Sequence, residues 1–201
     1  MTEQIKDMNF SQKNLIYTII PSIQDSIVYK IVLVLAGTGL LTLSAKIQVP
    51  FYPVPMTMQT CTLLVISMTF GLKLGSLTVF LYLVEGAVGL PVFAGTPLKG
   101  IGWAYMVGPT GGYLLGFLIA ACTVGYLAEN GFDRTFFHTF IAMLIGTLLV
   151  FLCGYTWLSG FIGFEKAMQL GVLPFVWSEF FKIGLDTAAL PICWSIIGRK
   201  T

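Results

Sequence analysis

The stretch Val172–Ile197 has the sequence VLPFVWSEFFKIGLDTAALPICWSII, which is apolar over most of its length yet contains Glu179, Lys182 and Asp186. Their i, i+3, i+7 spacing places all three on one stripe of a helix. A charge at the centre of a bilayer costs roughly 2.5–3.5 kcal/mol on insertion scales. Such residues persist where they pair with one another, line a cavity or hold a ligand. The stretch therefore predicts a polar site inside a membrane-spanning helix.

The composition of the whole chain is that of a membrane protein. Hydrophobic residues make up 56% of the chain, charged residues 10%, and the mean hydropathy is +0.87, whereas a soluble domain has about 25% charged residues. A length of 201 residues accommodates about six spans of about 20 residues. We therefore expect an all-α membrane protein with six transmembrane helices in one compact bundle. The net charge of +2 is too small to suggest a nucleic-acid partner.

Six apolar runs are candidates for these helices, and turn-forming residues separate most of them. Prolines follow the first run, a long Gly- and Pro-rich connection follows the third, and Asn130-Gly131 separates the fourth from the fifth. The second and third runs are short, and only Leu72-Lys73 joins them. The runs are Ile31–Val49, Met58–Gly71, Leu74–Leu90, Val107–Ala128, Phe136–Trp157 and Val172–Ile197.

The chain before the first run is predicted to be a lead, residues 1–30, to a transmembrane domain of residues 31–201. Residues 1–14 are polar, and no apolar core of a signal peptide follows them. Leu15–Ile23 is apolar but too short to span a bilayer. An interfacial helix and a poorly ordered cytoplasmic lead are both consistent with it.

The distribution of Lys and Arg favours a multi-pass protein of the cell membrane with both termini in the cytoplasm. With that orientation the cytoplasmic side has more basic residues than the outer side. The cytoplasmic set is Lys6, Lys13, Lys30, Lys73, Arg134, Arg199 and Lys200, and the outer set is Lys46, Lys99 and Lys166.

The same orientation brings the charged residues of the apolar runs to the outer end of the bundle. Glu179 and Lys182 lie in the outer half of the last run, Asp186 lies roughly 6 Å deeper, and Glu85 lies near the outer end of the third run. The two unusual connections lie at this end too, which predicts an outward-facing ligand pocket capped by loops. Three structural alternatives remain open: a salt bridge that only ties helices together, an Asp186–Lys182 pair, and a Glu85 that extends to the interface.

Other features do not indicate catalysis. The glycine-rich segment 95–100 lacks the Gly-Lys-Ser/Thr ending of a phosphate loop, so we do not expect ATP binding. His138 has no second metal ligand near it, and the four cysteines lie in apolar runs as packing residues. Gly112 and Gly116 form a small-residue motif for close helix contact. No catalytic residue, metal or cofactor is predicted.

Three segments follow one another along the chain: VPMTMQT at 54–60, GLPVFAG at 89–95 and GPTGGYLLGF at 108–117. In that order they resemble the V-P-x-T-x-Q-T, G-L-P-V-F-A-G and G-P-T-G-G-Y-L-L-G-F segments of the BioY family of biotin transporters. Near the end, GVLPF at 171–175 precedes Glu179 and Lys182, where the family pattern is G-V-x-P-F and then P-G-D-x-x-K. Glu179 thus stands where the family has aspartate. The resemblance extends from about residue 31 to the C-terminus.

This resemblance implies the substrate-binding (S) component of an energy-coupling-factor (ECF) transporter, not an enzyme. Such a subunit captures biotin from outside and works with a separate transmembrane coupling subunit and two ATPase subunits. Glu179 would accept hydrogen bonds from the ureido N–H groups of biotin, and Lys182 would bond either the ureido carbonyl or the valerate carboxylate. Backbone amides near Gly95 or Gly111 are candidates to receive that carboxylate. The other candidate binding residues are Glu85, Gln59, Tyr113 and Asp186.

Two other functions remain as alternatives. An S component for another small vitamin would share the fold but have a different pocket, and the signature segments at 54–60, 89–95 and 108–117 argue against it. A membrane-embedded enzyme would use Glu179 and Lys182 as acid and base, but it lacks a nucleophile or a metal cluster. A vesicle experiment separates the two classes because a carrier returns its ligand unchanged.

Overall fold

The computed structural model of the protein describes residues 14–23, 26–50, 52–96, 98 and 100–198. Residues 1–13, 24 and 25 of the predicted lead lie outside the described residues. Five basic residues on which the predicted membrane orientation rests also lie outside the described residues, namely Lys6, Lys13, Lys99, Arg199 and Lys200.

The described part of the chain is mostly helical. Its α-helices are α1 (Leu15–Ile19), α2 (Ile27–Lys46), α3 (Gln59–Ala87), α4 (Trp103–Met106), α5 (Gly111–Glu129), α6 (Phe136–Ile162), α7 (Phe164–Gly171) and α8 (Val176–Gly198). Short 3₁₀ turns occupy Pro21–Ile23 and Leu173–Phe175, and two short strands are β1 (Gln48–Val49) and β2 (Met56–Thr57).

The first predicted run differs from helix α2 at both ends. The helix begins at Ile27 and ends at Lys46. It ends there because Gln48 and Val49, shortly after it, pair antiparallel with Thr57 and Met56. Prolines between the two strands lack the N–H group that would continue a helix. The connection after α2 is therefore a small β-hairpin that brings the chain back to the start of α3.

Helix α3 contains a reversal of the chain, so the second and third predicted runs lie side by side. Gly71 has φ 75° and ψ −174° within this 29-residue element, a conformation that glycine adopts readily because it has no Cβ. The Gln59 amide donates to the Tyr82 hydroxyl at 2.7 Å, although 23 residues separate them. In a straight helix those residues would be about 34 Å apart. The two halves of α3 are therefore antiparallel, and the turn lies at the predicted junction.

Helices α5 and α6 approach closely through the predicted small-residue motif. A Cβ atom at Gly112 would overlap Trp157, and one at Gly116 would lie 2.8 Å from the Cα of Val150. Small residues allow such backbone approach inside membranes, where packing replaces the hydrophobic drive for helix association. The prediction for Gly112 and Gly116 is confirmed.

The buried core runs through the bundle between α3, α5 and α6, with α2 and α8 packed at its sides. The short helix α1 packs against α3, with Leu15 and Ile16 buried. Within the described residues, four helices are long and apolar enough to cross a membrane: α2, α3, α5 and α6. Helix α8 has 23 residues but contains the three ionisable side chains that share one stripe of the sequence.

Candidate functional site

A cavity opens at one end of the bundle, and its walls come from both helices and connecting segments. Its empty space is about 500 Å³, including its open mouth. We call this the cavity end, and the opposite end, at which Gly71 and Glu129 lie, the far end. The lining residues are Val54, Pro55, Thr57, Gln59, Thr60, Ala94, Tyr105, Thr110, Tyr113, Leu114, Phe117, Val150, Phe151, Phe175 and Glu179. The lining is thus largely apolar and aromatic with a few polar groups, as is typical of small-molecule sites.

The cavity wall contains a buried ion pair at the point where α8 meets the start of α3. The Lys182 Nζ atom lies 2.7 Å from Glu179 Oε1, and the two residues are only 8% and 5% exposed. Lys182 also donates to Thr60 Oγ1 at 3.1 Å and to the backbone oxygen of Thr57 at 2.5 Å. All three N–H groups of the ammonium therefore have an acceptor.

Glu179 keeps hydrogen-bonding capacity that the described residues do not use. Its Oε1 atom accepts from Lys182 and from the Thr60 hydroxyl at 3.0 Å. Its Oε2 atom is buried and has no hydrogen-bond partner among the described residues. Leaving a buried polar atom unpaired costs about 1–3 kcal/mol or more, so the site suits a ligand that donates hydrogen bonds to this oxygen.

Glu179 and Lys182 face different spaces. Glu179 lines the cavity. Lys182 lines a neighbouring groove between the β-hairpin and α8, with about 830 Å³ of empty space including open surroundings. A ligand in the cavity would therefore meet Glu179 and not Lys182, which bonds Glu179 from the side of the groove.

Gln59 belongs to a second polar network on the cavity wall. It accepts from the Thr57 hydroxyl at 3.3 Å and donates to the hydroxyl of the fully buried Tyr82. Tyr82 in turn donates to the backbone oxygen of Val92 at 3.1 Å. The network therefore connects the start of α3 to the connection between α3 and α4.

Tyr113 lines the cavity with its ring, while its hydroxyl serves the fold. The hydroxyl donates to the backbone oxygen of Gly171 at 2.7 Å and so ties α5 to the end of α7. Gly95 lies next to the lining residue Ala94. Gly111 begins α5 directly after the lining residue Thr110.

Two predicted site residues lie away from the cavity lining. Glu85 accepts from the Thr38 hydroxyl at 3.0 Å and so connects the second half of α3 to α2. Asp186, only 2% exposed, accepts from the Cys61 thiol at 2.9 Å. The structural alternative of an Asp186–Lys182 pair is not what the structure contains, because Lys182 bonds Glu179 one turn earlier. Roles for Glu85 and Asp186 in ligand binding remain predictions.

Sequence reasoning missed Thr57 and Thr60, which bond the ion pair, and Tyr82, which bonds Gln59. Thr57 and Thr60 lie within the 54–60 signature, and that membership is a signal that could have identified them. Tyr82 had no such signal, because only the reversal at Gly71 brings it to Gln59.

Taken together, the long apolar helices and the largely apolar cavity between them, with its few polar groups, are those of a multi-pass membrane protein with a candidate small-molecule site. Comparison with known proteins specifies the family: the BioY family model matches residues 11–199. The chain is 39% identical over 150 residues to the probable biotin transporter BioY of Pyrococcus horikoshii, an alignment that covers 75% of this chain and 86% of that protein. The protein belongs to the BioY family.

Two further likenesses agree with this assignment. The biotin transporter BioY of Thermotoga maritima is 37% identical over 147 residues, which cover 73% of this chain and 84% of the relative. Among solved structures, the fold is similar to the S-component for biotin from an ECF-type ABC transporter, with a TM-score of 0.64 and 24% identity. That superposition covers 86% of this chain and 90% of the other.

Proposed function

We propose that the protein takes up biotin as the membrane-embedded, biotin-binding S component of an ECF-type transporter. Family membership supports transport and not catalysis, and the relatives from Pyrococcus and Thermotoga are named as biotin transporters. A transmembrane coupling subunit and two ATPase subunits would supply the energy, in keeping with the lack of a phosphate-loop motif in this sequence.

The observation that carries the proposal is the Oε2 atom of Glu179, which has no hydrogen-bond partner among the described residues and belongs to a side chain that lines a largely apolar cavity. A ureido ring offers N–H donors to this oxygen, while the thioether ring and alkyl chain of biotin suit the aromatic lining. Lys182 bonds the other oxygen of the carboxylate, Oε1, at 2.7 Å. Thr57 and Thr60 then fix the geometry of both ionic groups.

The proposal includes a topology. The two antiparallel halves of α3, together with α2, α5, α6 and α8, would form six transmembrane segments. The cavity end would face outside and both termini would lie in the cytoplasm. Three described basic residues at the far end, Lys30, Lys73 and Arg134, against two at the cavity end, Lys46 and Lys166, support this orientation.

Calorimetric titration of the purified protein tests the function. We expect saturable binding of biotin with one site per chain, and much weaker binding of thiamine or riboflavin. A vesicle assay in which radiolabelled biotin is recovered unchanged would separate a carrier from an enzyme. Saturable binding of thiamine or riboflavin without any biotin heat would refute the substrate assignment.

A further inference from the structure

Lys46, the last residue of α2, binds a distant segment of the chain. Its Nζ atom donates to the backbone oxygens of Pro91 at 2.7 Å and Phe93 at 2.9 Å. It also lies 3.1 Å from the hydroxyl and 3.4 Å from the backbone oxygen of Thr96. These acceptors are 45 to 50 residues further along the chain. The amino group therefore cross-links the end of α2 to residues 91–96, which we call the 91–96 segment.

The 91–96 segment forms part of the cavity wall. Ala94 lines the cavity. Phe93 is fully buried and stacks on Tyr105 with ring centroids 5.0 Å apart, and the Tyr82 hydroxyl donates to the oxygen of Val92. The inner side of the segment is thus held by aromatic packing and one hydrogen bond, whereas its outer side is held by Lys46.

The geometry of the Lys46 contacts requires a cation. Three backbone oxygens lie within 3.4 Å of one atom, and converging carbonyl dipoles repel one another unless a positive charge lies between them. Without the ammonium, the Phe93 oxygen keeps the hydrogen bond from the Thr96 hydroxyl at 2.6 Å, whereas the oxygens of Pro91 and Thr96 lose the donor that links them to α2. The segment would then relax away from α2 and open one side of the cavity.

We propose that Lys46 is a positioning residue for ligand binding, which holds the 91–96 segment against the cavity and thereby slows the escape of the ligand. This inference rests on the proposed function, because it takes the cavity as the biotin site. Replacement of Lys46 should act mainly on dissociation, as most changes that leave the binding groups intact do. We expect Lys46→Met to release biotin roughly tenfold faster, the effect of losing charge-assisted hydrogen bonds.

The experiment compares three variants of the purified full-length protein. Lys46→Met removes the cation, Lys46→Arg retains it with donors that can reach carbonyl oxygens, and Lys166→Met removes an exposed lysine of α7 at the same end of the molecule. Two quantities are measured: the dissociation rate of radiolabelled biotin, and amide hydrogen exchange of residues 92–96 without biotin. Faster dissociation and faster exchange in Lys46→Met alone, with Lys46→Arg close to the wild type, would support the proposal.

Other results have equally definite meanings. Wild-type dissociation and exchange rates in Lys46→Met would overturn the proposal. If Lys46→Met does not fold, Lys46→Gln also removes the charge while it keeps a polar side chain, and wild-type rates of dissociation and exchange in that variant would overturn the proposal too. A wild-type protein without biotin binding would refute the proposed function and with it the role in ligand retention, while exchange would still report whether Lys46 holds the segment.

Discussion

Both ends of the bundle contain buried polar side chains, but the surroundings of these side chains differ. At the cavity end, Glu179 and Lys182 bond each other and the Thr60 side chain, and Lys182 also bonds the backbone oxygen of Thr57. Glu179 lines open space and keeps one oxygen without a partner among the described residues. We therefore expect this end of the bundle to bind a ligand.

At the far end, the partners belong to the backbone of the chain reversal in α3. Glu129 accepts from the amide of Leu72 at 3.0 Å. The Asn14 amide donates to the backbone oxygen of Phe70 at 3.2 Å. These bonds satisfy groups that the break at Gly71 removes from the helical pattern. At the far end these polar side chains thus stabilise the fold, whereas at the cavity end we expect them to bind a ligand.

The largest effect is expected from Lys182→Ala. The substitution leaves the Glu179 carboxylate buried without its cation, and removing one partner of a buried charged pair costs about 2–5 kcal/mol, or roughly 30-fold or more in affinity. Calorimetric titration with biotin measures the loss, and Lys166→Ala, which removes an exposed lysine, is the control. Wild-type affinity in a normally expressed Lys182→Ala protein would mean that the ion pair only ties helices together.

A change at the far end should lower stability and spare binding. Glu129→Ala leaves the Leu72 amide without its acceptor, which costs about 1–3 kcal/mol and lowers the midpoint of thermal unfolding by several degrees. Biotin affinity should stay within about twofold of the wild type, because Glu129 lies at the opposite end of α5 from the cavity. Glu129→Gln keeps an acceptor oxygen and should recover most of the stability. A large loss of affinity in Glu129→Ala would abolish the distinction between the two ends.

Smaller changes at Glu179 test whether this carboxylate contacts the ligand. Glu179→Asp restores the residue of the family pattern and moves the carboxylate by more than about 1 Å, so affinity should change at least severalfold in either direction. Glu179→Gln loses the charge and presents N–H donors to ureido donors, and we expect it to bind more weakly than Glu179→Asp. Affinities within twofold of the wild type for both variants would remove Glu179 from the binding site.

Much of the fold is predictable because an apolar run long enough to cross a bilayer is seldom anything other than a membrane-spanning helix. The runs correspond to α2, the two halves of α3, α5, α6 and α8. The early end of α2 was not predictable, since the strand pairing of Gln48 and Val49 depends on residues beyond the prolines. The reversal at Gly71 was only indicated as a soft boundary, because one glycine does not specify its own dihedral angles.

The candidate site was predictable in the ion pair and, through the signature segments, in the lining residues Gln59 and Tyr113. Glu179 and Lys182 stand out because charges in an apolar run are costly. Hydroxyl groups such as that of Thr60 are common in membrane helices, where they bond their own backbone, so its contact with Glu179 forms only once α3 and α8 pack together. In the sequence Lys46 counts only as one of the basic residues that indicate the membrane orientation. Its contacts depend on the path of the connection between α3 and α4, which no local pattern specifies.

The smallest predicted effect concerns Asp133, a buried far-end group in the connection between α5 and α6. Burial raises the pKa of Asp133 to about 6 from its usual 3.8, against the opposing effects of the hydrogen bond from Trp194 and the nearby Arg134. A pKa above that of the unfolded chain means that protonation stabilises the fold. This stability is fully present below about pH 3.8 and is lost as the pH rises through about 6. Between about pH 5 and pH 7 the difference is about 1 kcal/mol, or roughly 2–4 °C in the unfolding midpoint.

Asp133→Asn keeps the shape of the side chain and an acceptor for Trp194 but cannot ionise, so this variant should lack that part of the pH dependence. The unfolding midpoints of the wild type and the variant are measured in detergent at pH 5 and pH 7. The change in midpoint of the variant is subtracted from that of the wild type, which cancels the titration of groups common to both. Biotin affinity should be unaffected at either pH, since Asp133 lies at the far end. If the wild type and Asp133→Asn lose stability in parallel as the pH rises, the buried carboxyl is already compensated by Arg134. The pH dependence would then have to arise elsewhere, with the ionisable groups of the cavity end as the first to test.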